Sequence, residues 1–168
     1  MPCLHRRSML ASLLVALGAC ASAPPSAGPA AIDSVVIGST AGYDPGNPVW
    51  RMVLRQDGRA TWEGHEYAVP IGSAAGNVAA ERWHSLTQRI AAARMERLQP
   101  FYRPGGPIPY HGGYRVVEVF RTGTPPVRVV TAAGPASLNA VISEADRIAL
   151  ELGWSGAPPG QSDATSSP

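Results

Sequence analysis

No lysine occurs among the 168 residues; all fourteen basic side chains are arginine. A Gly-x-x-x-x-Gly-Lys phosphate loop is thereby excluded, and the segment Gly42 to Gly46 lacks its pattern in any case. No Gly-x-Ser-x-Gly elbow occurs either, which removes the usual support for a hydrolase nucleophile. Cysteine is nearly absent. Cys3 and Cys20 both precede the first stretch that reads as folded, so the folded domain can hold neither an internal disulfide nor a thiolate metal site. Its stability has to come from a hydrophobic core. No apolar run approaches the ~20 residues that a transmembrane helix needs, and no internal repeat is visible.

The N-terminal segment carries the most specific signal. Arg6 and Arg7 put positive charge ahead of an apolar stretch, Ser8 to Leu17, which has the length of a signal-peptide core and is too short to span a bilayer. The run Leu17-Gly18-Ala19-Cys20 closes it. This run resembles the bacterial lipobox, an aliphatic residue and two small residues before an invariant cysteine. Leu17, Ala19 and Cys20 match it, and Gly18 is an acceptable variant. The resemblance implies that residues 1–19 are a signal peptide, that the Cys20 thiol carries diacylglycerol, and that Cys20 becomes the first residue of the mature chain. Ala21-Ser22-Ala23 could serve an ordinary signal peptidase, but Pro24 would then sit just after the cut, an unfavourable place.

In lipoproteins of this kind an Asp after the cysteine favours the inner membrane. Ala21 stands there, so the implied destination is the periplasmic face of the outer membrane. One acyl chain holds a protein only marginally, at about 0.8 kcal/mol per buried methylene, whereas several chains hold it stably. The implied partner is therefore the membrane, through acyl chains on Cys20. Cleavage would also remove Arg6 and Arg7 and no acid, leaving twelve arginines against twelve acidic residues. A neutral domain gives no electrostatic reason to expect nucleic-acid binding.

Composition divides the rest of the chain into three parts. Residues 20–31, the cysteine followed by ASAPPSAGPAA, read as a flexible Pro/Ala linker reaching on the order of 30 Å. Residues 155–168 are similarly poor in core-forming side chains and are expected to be a disordered tail. Residues 32–154 are enough for one domain with one core.

Within that domain, Ile32 to Ile37 reads as a first strand. Val49 to Gln56 alternates, with Trp50, Met52 and Leu54 on one face and Arg51 and Arg55 on the other. Asp57-Gly58 then supplies a two-residue hairpin turn, and Arg59 to Val69 returns with Ala60 and Trp62 on the covered face. Asn77 to Ala93 reads as a helix capped by Asn77, with Ala79, Trp83, Leu86, Ile90 and Ala93 as its apolar stripe. Met95 to Tyr102 is expected to turn off the helix and bury Leu98 and Phe101. A second hairpin spans Tyr114 to Thr131 around a Thr122 to Pro126 turn, with Val117 and Val119 sharing a face. The last helix covers Pro135 to Leu152, burying Leu138, Val141, Ile142, Ala145, Ile148, Ala149 and Leu152; Gly153 stops it and Trp154 packs back. The fold class expected is α+β: an antiparallel sheet built from two β-hairpins with two helices packed on one face.

The order of these pieces is similar to a bacterial domain-of-unknown-function family common in predicted lipoproteins. The matching positions are Pro48-Val49-Trp50, Asp57-Gly58, Trp62-Glu63-Gly64, Tyr102, Gly134-Pro135 and Trp154, covering nearly all of Ile32 to Trp154. Many relatives carry a cysteine pair in the loop before the proline; Ala41, Gly42 and Tyr43 stand thereabouts here, so a redox, metal or disulfide role inferred from those cysteines does not carry over. The resemblance implies a fold and a location and brings no reaction with it.

Two groups of residues invite a chemical role. Glu63, His65 and Glu66 carry carboxylate and imidazole ligands suited to zinc, yet no third convergent ligand is evident beside them. Tyr110-His111-Gly112-Gly113 is similar to the His-Gly-Gly segment of esterase oxyanion holes, which needs a nucleophile to be useful. Trp50, Trp62, Trp83 and Trp154 could stack a ligand, but all sit on apolar faces or at a helix end and read as core. Two functions follow. The first is a lipid-anchored, non-enzymatic binding or envelope-associated module, with a protein, peptidoglycan or small-molecule partner, no cofactor and no nucleic acid. The second is a small periplasmic hydrolase or metal-dependent enzyme using His65 and His111, which rests on residue types alone. Cys20 is the one residue assigned a chemical role, lipidation.

Overall fold

A computed structural model describes residues 30–42, 46–105 and 112–155. Residues 1–29, which include the expected signal peptide, Cys20 and most of the expected linker, His111, and residues 156–168, the expected tail, lie outside the described residues. The chain forms β1 (Ile32–Ser39), β2 (Trp50–Arg55), β3 (Arg59–Gly64), β4 (Gly72–Asn77), α1 (Ala80–Ala93), a 3-10 turn (Met95–Arg97), β5 (Phe101–Tyr102), β6 (Arg115–Arg121), β7 (Thr124–Thr131) and α2 (Ala136–Glu151). The fold is α+β. The strands make one seven-stranded sheet in the order β4-β3-β2-β1-β6-β7-β5, antiparallel except for the short β5–β7 pair. β1 is the middle strand, and its β-branched run Val35, Val36 and Ile37 is buried, as suits a strand with a partner on each side.

The Asp57-Gly58 turn joins β2 to β3. Gly58 adopts φ 84°, which a side chain would strain, and its N–H donates to the Arg55 carbonyl at 3.0 Å. The Asp57 carboxylate accepts from the Arg59 Nε at 2.6 Å and from the Arg59 backbone N–H at 3.0 Å. These bonds, the side-chain one first, hold the carboxyl below its ordinary value.

Strand register carries the alternation across the sheet. Trp62, Met52, Ile37, Val117 and Val129 fall into one row on β3, β2, β1, β6 and β7. All five are essentially inaccessible, and they share one cluster with Leu86 and Ile90 of α1 and Leu138, Val141, Ala145 and Ile148 of α2. On the intervening positions Arg51, Arg55, Thr61 and Glu63 are exposed, and Glu118 pairs with Arg128 across strands at 3.2 Å. Patterning expected from the sequence is realised in β2, in β3 at Ala60 and Trp62, and along α2 as far as Ala149.

Several boundaries differ from expectation, each for a physical reason. β3 stops at Gly64 instead of reaching Val69, because the chain turns through Tyr67 at φ 55° and Val69 pairs with Ser155 instead. Ser155 therefore belongs to the folded part. The segment Gly72–Asn77 is a strand, paired along its length with β3, although glycine, serine and alanine have little strand preference. Asn77 ends that strand and caps nothing; α1 begins at Ala80 after an extended Ala79 with no side-chain cap. Ala79 and the Phe101 ring are exposed, and Phe101 sits 5.3 Å from Tyr114 on a two-residue strand. β7 resumes at Thr124 and includes Pro125 and Pro126. Proline is tolerated there because β5 covers β7 only at Val130 and Thr131, and the β6 register shifts between Val119 and Arg121.

A buried carboxylate joins the two helices. Glu144 of α2 is inaccessible, and its Oε2 accepts from Arg89 Nε of α1 at 3.2 Å and from Arg147 Nη1 at 2.6 Å. Arg82 Nη1 lies 3.7 Å from Oε1, which has no hydrogen-bond donor. Arg82 also pairs with Glu151 near the end of α2. Glu144→Gln keeps the volume and removes the charge that three guanidinium groups share. It is expected to lower unfolding free energy by about 2 kcal/mol, as loss of hydrogen bonds to a charged group does. Urea denaturation checks this. Arg89→Gln or Arg147→Gln alone should do much less, because both are partly solvated and the carboxylate retains other partners.

Candidate functional site

At the end of the sheet where β1 begins, one stripe of α1 approaches the strands. Trp83, Thr87 and Ala91 recur every fourth residue, which places them on one side of the helix. Arg94 then ends the helix with a left-handed backbone, φ 48° and ψ 57°, and its N–H returns to the Ala91 carbonyl at 3.2 Å. Buried Met95 and half-buried Leu98 hold the following 3-10 turn against the core, leaving Glu96 and Arg97 exposed. On the sheet side Ile32 lies opposite Arg121, and the Gln56 N–H donates to the Asp33 carbonyl at 3.0 Å. With Ala30 these residues line an open cleft of about 500 Å³, a volume within the range of small-molecule sites.

Basic residues outnumber acidic ones in its lining: Arg94, Arg97 and Arg121 against Glu96. Elsewhere six arginines are paired, and Arg51, Arg55 and Arg103 form no ion pair among the described residues. Arg59, Arg82, Arg89, Arg115, Arg128 and Arg147 each contact an Asp or Glu. The Asp33 carboxylate, next to Arg121's strand partner, is occupied by the Thr122 hydroxyl at 2.8 and 2.9 Å. The guanidinium groups of Arg94, Arg97 and Arg121 form no ion pair among the described residues. Arg94 is also costly where it stands. A left-handed backbone costs a side-chain-bearing residue about 1–2 kcal/mol, and glycine is the usual occupant of such a cap. A cation near a helix C-terminus regains only about 0.3–1 kcal/mol of that. Local backbone preference does not account for arginine here.

The residues singled out from the sequence lie elsewhere. Glu63, His65 and Glu66 are all exposed around the end of β3, where the His65 N–H donates to the Val49 carbonyl at 2.8 Å. His111 lies outside the described residues, as does Cys20. Among the described residues no group of three or more His, Cys, Asp or Glu is placed to hold a metal ion. No described helix is long and apolar enough to cross a membrane.

Three tryptophans are core. Trp50 stacks on Trp62 at 4.9 Å between centroids, Trp62 meets Trp154 at 5.7 Å, and the Arg115 guanidinium lies 4.6 Å over Trp50. Arg115 in turn pairs with Asp146 of α2. Trp83 differs: it is half-buried against the core and also lines the cleft. Sequence reading missed this cleft because its walls come from α1, the 3-10 turn, β1, β6 and the end of β2. The one local signal was an arginine at a helix end that glycine usually occupies. The chain matches no protein family and no curated protein.

Proposed function

We propose that this is a lipid-anchored, non-enzymatic binding module held at the periplasmic face of the outer membrane by acyl chains on Cys20. The observation that carries the reading is the run Leu17-Gly18-Ala19-Cys20 behind Arg6 and Arg7. The Pro/Ala linker supports it, since that linker leads to Ala30 at the rim of the arginine-lined cleft. The motif order from Pro48-Val49-Trp50 to Trp154 supports membership of the lipoprotein-associated family of unknown function. In this reading both helices cover one sheet face, and the face bearing Arg51, Arg55 and Glu63 stays open, as antiparallel sheets allow. The cleft is the binding surface, and a small molecule, peptidoglycan or an envelope protein is its partner.

A Cys20→Ser variant tests the anchor. It should lose metabolic labelling by fatty acid, retain its signal segment, and leave the membrane fraction that holds mature wild-type protein. Unchanged labelling and unchanged mature mass in that variant would rule the anchor out.

A further inference from the structure

We propose that the cleft beside Ala30 binds a phosphate-bearing anion, with Arg94, Arg97 and Arg121 taking the phosphate oxygens and Trp83 receiving the body of the ligand. The inference rests on the binding role given to the cleft above and does not depend on the anchor.

Charge, donor geometry and backbone choice point the same way. Three arginines and one glutamate are among the residues lining the cleft, an excess of charge that matches a phosphomonoester of charge about −2. Guanidinium groups offer planar pairs of N–H donors that fit phosphate oxygens. Arg94, Arg97 and Arg121 form no ion pair among the described residues, as is also true of Arg51, Arg55 and Arg103; what sets the three apart is that they line one cleft. The left-handed Arg94 adds an independent observation: a strained backbone is retained while a guanidinium is kept on the cleft wall. Beside the charges, half-buried Trp83 and Ile32 offer apolar surface, and Thr87 and Gln56 offer polar groups for the rest of the ligand.

An anionic phosphate group has two sources, a soluble phosphomonoester or the singly charged phosphodiester of a phospholipid headgroup. Ala30 is on the cleft rim, and the chain from Cys20 to it, at about 3.5 Å per extended residue, would keep an anchored cleft within ~35 Å of the bilayer.

Isothermal titration of the full chain in non-ionic detergent decides the matter, with sn-glycerol 3-phosphate and monomeric short-chain phosphatidylglycerol as probes and short-chain phosphatidylcholine as reference. Saturable binding is expected, weakened about tenfold or more by Arg94→Gly and by Arg121→Gln. Arg128→Gln, which removes an arginine paired elsewhere on the sheet, should leave it unchanged. Arg94→Gly places glycine in the left-handed cap, so its melting temperature should be no lower than wild type, which separates lost binding from lost fold. Tighter binding of glycerol phosphate identifies a soluble source, and tighter binding of phosphatidylglycerol identifies the headgroup; either supports the proposal. It is overturned if neither probe binds saturably, if phosphatidylcholine binds as well as phosphatidylglycerol, or if the triple variant Arg94→Gly, Arg97→Gln, Arg121→Gln binds like wild type. Acyl labelling of Cys20 is read separately, so the anchor and the phosphate site can fail independently.

Discussion

Gly64→Ala should destabilise the domain by about 3 kcal/mol or more, the upper end of what overpacking does. The reason is steric. A Cβ at Gly64 would lie far inside van der Waals contact with the Pro70 carbonyl oxygen, 2.7 Å from Trp62 Nε1 and 3.2 Å from the Ala68 Cβ. The nearest obstacle is backbone, which cannot rotate away as a side-chain end can. Combining Gly64→Ala with a smaller residue at position 62 should therefore give no rescue. Urea denaturation of the single and double variants reads the effect directly. Wild-type stability in Gly64→Ala would mean that the chain around Pro70 shifts freely, contrary to its pairing through Val69 and Ser155.

Trp62→Ala is expected to cost about 3–5 kcal/mol, the range for removing a large aromatic from a core. A small domain has only about 5–15 kcal/mol of net stability to lose, so this variant should be largely unfolded near 37 °C. Trp62 is the centre of the aromatic column, touching Trp50 on one side and Trp154 on the other, and is 1 % exposed. Its Nε1–H also donates to the Pro70 carbonyl at 2.9 Å. Trp62→Phe separates the two contributions. It keeps most of the apolar contact and leaves that carbonyl without its donor, for an expected loss of about 1–3 kcal/mol. Near-ultraviolet circular dichroism and denaturation midpoints distinguish the three proteins; equal midpoints for Trp62→Phe and wild type would show that the Pro70 carbonyl finds another donor.

Much of this column could be read from the chain. Trp50 and Trp62 lie at alternating positions on either side of Asp57-Gly58, and the period of two sends both to the covered face. Trp154 follows a glycine that ends α2 at φ 75°, and the turn brings the ring back onto the core. Where sequence reading fell short, tertiary pairing had overridden local preference. Gly72 to Asn77 has almost no side chain with which to declare itself a strand; β3 supplies the ladder that makes it one. Glu144 looks like one more polar residue on a helix, and its burial is made tolerable by Arg147 on the same helix together with Arg82 and Arg89 from α1. The cleft was illegible for a similar reason: Ile32, Trp83, Arg94 and Arg121 have no common spacing, and they become neighbours only after the sheet and α1 have formed.

The path of the chain also decides how the domain would bear a load. Ile32 starts β1 beside Arg121, at one end of the strands, whereas Ser155 is fastened to Val69 close to the opposite end, where Trp50, Gly64 and Ser39 lie. Tension between the linker and Ser155 therefore runs along the length of β1. That strand is hydrogen-bonded to β2 on one side and to β6 on the other, with bonds directed across the line of pull. Force is shared among both ladders at once and cannot open them one rung at a time. A pull applied between Ile32 and Ser155 would therefore load the central strand in shear against both of its neighbours.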